Sequence, residues 1–286
     1  MMLKNKYVYF IPCGGLNDCF TNINKIIQYC KKYKRILLLD MLQSNYKINM
    51  SEYFIIKDTG INIIYDNNII NTIISNTKNT IYPHGIESIR DDIISNKLNL
   101  KYQSQKPFFT YKNIPLILPY KAIHNDIVIH SRCGGGDGSI FLINNIYFHK
   151  LIKTFIIDKL KLLENNYLCI QVRNTDIKSN YIDLYNKNKK YIHSFNKIYL
   201  CTDDKKVYNY FISKKLNIYC FTSFPSNNCR NLHTSNIDSE IKIKDLFVDI
   251  FLATSSKNIL SNSKGGFINL LRKCFLKKTI INNKLK

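Results

Sequence analysis

The chain has 286 residues, of which 45% are hydrophobic and 13% aromatic. That excludes wholesale disorder and suits two domains better than one compact core. The formal net charge is +22, which hints at nucleic acid, an anionic surface or an anionic ligand. No stretch reaches the roughly 20 apolar residues of a membrane helix, so no membrane span is expected.

Tyr7–Ile11 is a short aromatic and β-branched run, predicted as a buried strand. It ends in Pro12-Cys13-Gly14-Gly15. Apolar residues then recur at Phe20, Ile23, Ile27 and Cys30, which is helical spacing. Ile36–Leu39 is a second strand, closed by Asp40. Strand, glycine turn, helix, strand and Asp make the opening of a Rossmann-like unit. Short strands are predicted at Ile61–Tyr65 and Thr80–Tyr82, and residues 101–120 read as an irregular crossover rich in proline. Asp126–His130 is another strand, which runs into the glycine loop Cys133–Gly138. Residues 146–164 are predicted as a helix leading into a second half. That half alternates strands at Tyr167–Val172, Lys197–Cys201, Asn217–Phe221 and Asn258–Leu260 with helices at Lys205–Lys214, Ile243–Thr254 and Gly266–Phe275. Such alternation implies parallel sheets with helices on both faces. The expected fold class is therefore α/β. It has two Rossmann-like domains with mostly parallel sheets facing across a cleft, over residues 1–150 and 151–286.

Only six of the 42 basic residues are arginine: Arg35, Arg90, Arg132, Arg173, Arg230 and Arg272. Lys, Asn, Ile and Tyr share AT-rich codons, so genome bias accounts for much of the lysine. That bias fits a large DNA virus or an AT-rich microbe. The cysteines number nine, an odd count, and no pair has the C-x-x-C spacing of a zinc site. A reducing, cytoplasmic compartment follows, and the first ten residues lack a secretory apolar run.

Four segments carry candidate chemistry. In Gly14-Gly15-Leu16-Asn17-Asp18, two glycines after a strand let backbone approach a ligand, and the next helix offers free N–H groups. The plainer alternative is a strand-to-helix turn capped by Asn17 or Asp18. The segment is neither a Walker A loop nor G-x-G-x-x-G, so a nicotinamide cofactor is not expected. In Gln171–Asp176, Arg173 stands at the carboxyl end of a strand, where open α/β sheets place ligands. Arginine suits phosphate through paired N–H bonds, and Asp176 either orients it or holds a ligand hydroxyl. In Cys201-Thr202-Asp203-Asp204, one Asp caps a helix while the other accepts from a base or sugar. Finally, Asp249 precedes Ser263-Lys264-Gly265-Gly266, a potential anion nest at a helix start. The glycine loop with Asp137 is either a phosphate or acceptor loop or a mobile link, and His130 beside it reads as structural.

In this order and spacing the motifs resemble the fucosyltransferase-like superfamily of glycosyltransferases. That group includes the α-1,6-, α-1,2-, protein O- and nodulation fucosyltransferases. Pro12–Asp18 is similar to their glycine turn, Gln171–Asp176 to their H-V-R-R-T-D motif, Cys201–Asp204 to A-T-D-D, and Asp249–Thr254 through Ser263 and Gly265 to their final helix, strand and serine turn. The resemblance covers the C-terminal half and the first 40 residues. It departs at Gln171 and Asn174, where the family has His and a second Arg, so only Arg173 inherits the grip on the donor diphosphate.

The resemblance implies a GT-B-like fold and metal-independent sugar transfer without a cofactor. The donor is a nucleotide sugar, GDP-fucose by family default, and the acceptor is an oligosaccharide or glycoprotein. The donor is assigned to the second domain and the acceptor to the first. Arg173, Asp18 and Asp137 are the candidate catalytic residues, with the two aspartates as candidate bases. Gly14, Gly15, Asn17, Asp176, Thr202, Asp203, Asp204, Asp249, Ser263, Lys264 and Gly265 are the candidate donor contacts, and no metal ligand is assigned. Two rivals remain open. One is a basic nucleic-acid-binding protein, against which the charge is spread and no recognition motif stands out. The other is an inactive sugar-binding relative.

Overall fold

The computed structural model describes residues 5–103, 107–119, 121–136, 138–225, 232 and 235–285. The chain divides into two compact units, Met1–Tyr147 and Phe148–Lys286.

The first unit begins with β1 (Tyr7–Pro12), α1 (Leu16–Tyr33) and β2 (Ile36–Leu39). It continues through β3 (Phe54–Ile56), β4 (Ile63–Ile64), α2 (Asn67–Ser75), β5 (Ile81–Tyr82) and α3 (Ile89–Ile94). Then come β6 (Lys101–Tyr102), β7 (Phe109–Tyr111), β8 (Ile114–Pro115), β9 (Ile127–Arg132), α4 (Ser139–Asn144) and β10 (Ile146–Phe148). Five strands form a parallel sheet in the order β4-β2-β1-β9-β5. Its central strand β1 pairs with β9 from Tyr7↔Ile127 to Pro12↔Arg132. Val8, Tyr9, Phe10 and Ile11 are fully buried, as expected of a strand covered on both faces. On α1, the periodic Phe20, Ile23, Ile26, Ile27 and Cys30 are buried as well.

Residues 101–120 are more regular than the sequence suggested. Strands β6, β7 and β8 make a three-stranded antiparallel sheet. Lys112 and Asn113 turn between β7 and β8 with φ of 48° and 67°. A two-residue hairpin with both φ positive matches the right-handed strand twist, and Lys-Asn is not the Asn-Gly pair that usually signals it. The expected helix over 146–164 is likewise split. Ile146–Phe148 pairs with β3, and the helix starts only at Lys150, after His149 in extended backbone.

In the second unit, α5 (Lys150–Leu163) leads to β11 (Leu168–Val172), α6 (Tyr181–His193), β12 (Ile198–Thr202), α7 (Lys205–Ile212) and β13 (Ile218–Tyr219). It closes with α8 (Ser239–Ser255), β14 (Asn258–Leu260), α9 (Gly266–Leu276) and α10 (Lys278–Asn282). The sheet is again wholly parallel, in the order β13-β12-β11-β14. One face packs Ile170, Val172, Ile198 and Leu200 against Leu184, Ile192, Val207 and Phe211 of α6 and α7. The other carries Cys169, Tyr199 and Cys201, and the Tyr199 hydroxyl reaches Asp249 of α8. The α/β class with mostly parallel sheets is thus as expected.

Two of the scarce arginines hold backbone ends together. Arg35 is only 3% exposed. Its Nη1 donates to the carbonyls of Tyr7 (3.0 Å) and Asp126 (3.4 Å), and its Nη2 to those of Asn125 (3.1 Å) and Ile123. The starts of β1 and β9 are tied through one planar fork. Arg90 does the same for the carbonyls of Ile74, Asn76 and Asn79. A lysine has the charge without the fork. Arg35→Lys is therefore expected to lower stability by roughly 2–4 kcal/mol, because buried carbonyls lose their donors. Urea unfolding measures this, and a loss under about 0.5 kcal/mol, the usual size of a neutral surface change, would show that the fork is not needed.

Candidate functional site

The carboxyl ends of β11, β12 and β14 gather most of the second unit's predicted residues. Strand β11 delivers Arg173 one residue past its end. Its guanidinium is held by Asp176 on two nitrogens, Nε to Oδ1 at 2.7 Å and Nη2 to Oδ2 at 2.6 Å. Burial pushes the Asp176 carboxyl up, but the hydrogen bonds and charge of Arg173 outweigh it and hold the carboxyl below its ordinary range. Arg173 and Asp176 keep 22% and 28% of their side chains exposed, so the pair faces solvent.

The remaining guanidinium nitrogen, Nη1, lies at the head of α9. A methyl group at Gly265 would sit 3.3 Å from it, and Gly265 has a φ of 121°. The φ calls for glycine, and the missing side chain leaves Nη1 room beside the helix start. Helix α9 begins with no side-chain cap, and the first N–H groups of a helix have no partner within it. A guanidinium nitrogen and the positive end of a helix therefore share one spot. Two positive ends side by side favour an anion between them. Lys264, next to this spot, is exposed.

The other predicted residues of this unit hold the frame. Asp203 accepts from the Asn174 amide through Oδ1 and from Thr175 Oγ1 through Oδ2, both at 2.7 Å. Burial raises its carboxyl above the ordinary range in spite of these bonds and of Arg173. Asp204 caps α7 by accepting from the Lys206 amide at 2.8 Å, and it also takes a bond from Asn174 Nδ2. Thr202 is buried and accepts from the Asp204 amide at 3.3 Å. Ser263 accepts from the Arg173 amide at 2.8 Å. Ser179, which sequence reasoning passed over, bonds both to Ser263 Oγ and to the Arg173 carbonyl. The cap Asn180 beside it, followed by apolar residues at 181, 184, 185 and 192, was the available signal.

Asp249 lies deeper. It is 5% exposed and takes the Tyr199 hydroxyl. Burial raises its carboxyl to about 7, opposed by the bonds from Tyr199 and Cys201 and reinforced by the charges of Asp245 and Asp203. Behind the same strand end, Gln171 is buried, and its Oε1 accepts from Ser261 Oγ at 2.7 Å.

The first unit assembles Gly14, Gly15, Asn17 and Asp18 where β1 meets α1. The Gly14 amide donates to Asn45 Oδ1 at 3.1 Å. Gly15 is the α1 N-cap. Asn17 is buried and accepts from Ser139 Oγ at 2.7 Å. Asp18, in the first turn of α1, is half-buried beneath the glycine loop. A methyl group at Gly135 would lie 2.5 Å from Asp18 Oδ1. The loop is stitched to α1, since Thr21 Oγ1 donates to the Gly136 carbonyl and Asn22 Nδ2 to that of Gly134. Asp137 lies outside the described residues. His130 is buried against Phe10 with Nδ1 2.8 Å from the Leu116 carbonyl, and burial presses it down to about 4.

The eight described cysteines are free thiols, and Cys229 lies outside the described residues. Among the described residues, no group of three or more His, Cys, Asp or Glu is placed to hold a metal ion. No helix among them is long and apolar enough to cross a membrane.

The fold is similar to that of solved fucosyltransferases. The structure of NodZ alpha-1,6-fucosyltransferase co-crystallised with GDP matches at a TM-score of 0.63 and 14% identity, over 94% of this chain and 92% of that one. Fucosyltransferase NodZ from Bradyrhizobium matches at 0.62 and 13%, over 94% and 93%. POFUT1 in complex with GDP matches at 0.54 and 9%, over 96% and 95%. No protein-family model and no curated protein matches the sequence.

Asp249 yields a pH test. Its unfolded carboxyl titrates near 4 and its folded one near 7. Between those values the folded state binds the extra proton, so this group's contribution to stability falls as pH rises from about 4 to about 7 and is level above. Asp249→Asn is expected to gain on the wild type across that window in denaturation midpoints at pH 4.5, 6 and 8. A constant difference at all three would show that Asp249 titrates normally.

Proposed function

We propose that this chain is a glycosyltransferase that needs no metal. It takes a sugar from a nucleotide-diphosphate donor, GDP-fucose by family default, and passes it to a hydroxyl of a glycan or glycoprotein. One observation carries the reading: the Arg173 guanidinium is anchored on Asp176 by two nitrogens, with its third at the uncapped head of α9. The fold supports it, as do the GDP and GDP-fucose complexes of its structural neighbours.

In such a transfer the bond from the sugar to the diphosphate breaks, and negative charge grows on the leaving phosphate. Arg173 Nη1 and the first amides of α9 meet that charge, with Lys264 beside them. Donors fixed in advance stabilise the transition state more than the ground state, which is what lowers the barrier. The guanidinium does not reorient, because Asp176 already holds it. The charge of Asp176 is spent on the inner two nitrogens, so the cation's outer side serves the ligand. The nucleoside is assigned to the carboxyl ends of β11 and β12, where open α/β sheets place ligands, and the buried Gln171, Thr202 and Asp249 support those ends from beneath. The first unit holds the acceptor, and Asp18 is the base that takes the acceptor proton, with Asp137 as the other candidate.

The test is a thermal-shift panel of GDP-, UDP-, dTDP- and CDP-sugars, with RNA and DNA alongside, at fixed salt, with and without chelator, on wild type and Arg173→Ala. GDP-sugars are expected to raise the melting temperature selectively and regardless of chelator. Arg173→Ala is expected to weaken the apparent affinity at least tenfold, consistent with losing a charge-assisted bond. Stabilisation by RNA or DNA and by none of the sugars would overturn the proposal in favour of a nucleic-acid-binding protein.

A further inference from the structure

The loop that presents Arg173 is bonded on every side. Its amide donates to Ser263 Oγ at 2.8 Å, and its carbonyl accepts from Ser179 Oγ at 2.6 Å. The two serine oxygens are 2.8 Å apart. A hydroxyl has one hydrogen. Because that of Ser179 goes to the Arg173 carbonyl, that of Ser263 goes to Ser179. Ser179 and Ser263 are 9% and 5% exposed. The hydroxyl pair therefore grips both polar backbone groups of one residue, out of solvent. On the far side, both oxygens of Asp203 are taken by the next two residues, the Asn174 amide and the Thr175 hydroxyl. Asn174 is tied again, through Nδ2, to Asp204 Oδ2 at 2.8 Å. These bonds join the turn after β11 to the turns after β12 and β14; three of them end on backbone, at the Arg173 amide and carbonyl and the Asn174 amide, and two on the side chains of Asn174 and Thr175.

We infer that Ser179, Ser263 and Asp203 are positioning residues, a brace that fixes the backbone under Arg173 and acts on the donor only through its guanidinium. The inference rests on reading Arg173 as the grip on the diphosphate. It moves Ser263 and Asp203 from ligand contact to support, and it adds Ser179 to the site. The physical reason is geometric. A guanidinium at the end of a flexible stem reaches many places, and two restraints limit it here. Asp176 fixes the fork, but Asp176 is only three residues along the same loop. The fork and its partner move together unless the backbone itself is anchored; Ser263 and Asp203 supply that anchor from the turns after β14 and β12, and Ser179 links Ser263 back to the Arg173 carbonyl. A misplacement of about 1 Å in such a group can cost on the order of a hundredfold in rate.

The test uses the full chain as wild type, Ser179→Ala, Ser179→Thr, Ser263→Ala, Asp203→Asn and Arg173→Lys. Three quantities are read: the melting temperature without ligand, amide hydrogen exchange across residues 173–179, and the dissociation constant for GDP. The brace predicts faster exchange confined to 173–179 in Ser179→Ala, Ser263→Ala and Asp203→Asn. It also predicts GDP affinity lower by roughly tenfold, the scale of one strong hydrogen bond. The double variant Ser179→Ala/Ser263→Ala should be no worse than the weaker single, since the pair acts as a unit. Ser179→Thr, which keeps the hydroxyl, should restore exchange and affinity. Arg173→Lys should lose GDP affinity with exchange unchanged. If the brace variants lose GDP affinity while exchange at 173–179 stays as in wild type, the hydroxyls and Asp203 touch the ligand directly and the inference fails. If exchange and affinity are both unmoved, the brace has no role. If Asp203→Asn does not fold, the serine variants decide the matter, because each removes a single hydroxyl. Should wild type itself not bind GDP, the proposed donor falls, and the brace is then judged by the exchange data alone.

Discussion

The meeting of the Arg173 guanidinium with the head of α9 is the constraint on which the second unit turns. Two positive groups are held side by side, and the Asp176 carboxylate bonds Nε and Nη2 of the guanidinium rather than Nη1. Asp176 neutralises the inner nitrogens, and Gly265 supplies the φ and the missing side chain that let Nη1 approach the helix. Such an arrangement is least favourable empty and most favourable with an anion in place. The parallel sheet accounts for its location. Strands β11 and β12 end level, Val172 against Thr202, and neighbouring β14 ends at Leu260 against Ile170, so their following turns meet at one edge, and each contributes one part of the frame.

Arginine is used sparingly in this chain, and Arg35, Arg90 and Arg173 show two kinds of placement. Arg35 and Arg90 are buried and spend their forks on backbone carbonyls, which joins strand ends and loops in the first unit. Arg173 is partly exposed and keeps one nitrogen away from its carboxylate. Elsewhere lysine does the ordinary surface work. The high net charge therefore says little about function, while the few positions where a planar fork is needed say a good deal.

Much of the framework was legible because buried parallel strands are short apolar runs. Tyr7–Ile11 and Ile36–Leu39 declare themselves, and the glycines after β1 and before α9 mark the turns. The position of Arg173 past the end of β11 was legible for the same reason. Other features depend on partners distant in sequence. Nothing in Cys201–Asp204 says that Asp203 bonds the turn after β11, 29 and 28 residues away from its two partners. Helix α6 was hidden by asparagine and lysine, which dilute its apolar period to Tyr181, Leu184, Tyr185 and Ile192. The hairpin of β7 and β8 was hidden by a Lys-Asn turn. The depth of Asp249 follows from α8 being buried on most of its sides, so its sequence shows little periodicity to mark a polar edge.

The central claim is that Arg173 and α9 grip a diphosphate, and calorimetric titration of the wild-type chain with GDP and with GMP tests it most directly. The two ligands share base, sugar and first phosphate. If the grip is on the diphosphate, GDP binds at least tenfold tighter than GMP, a difference of about 1.4 kcal/mol. Equal affinities would contradict the claim and place recognition in the nucleoside alone.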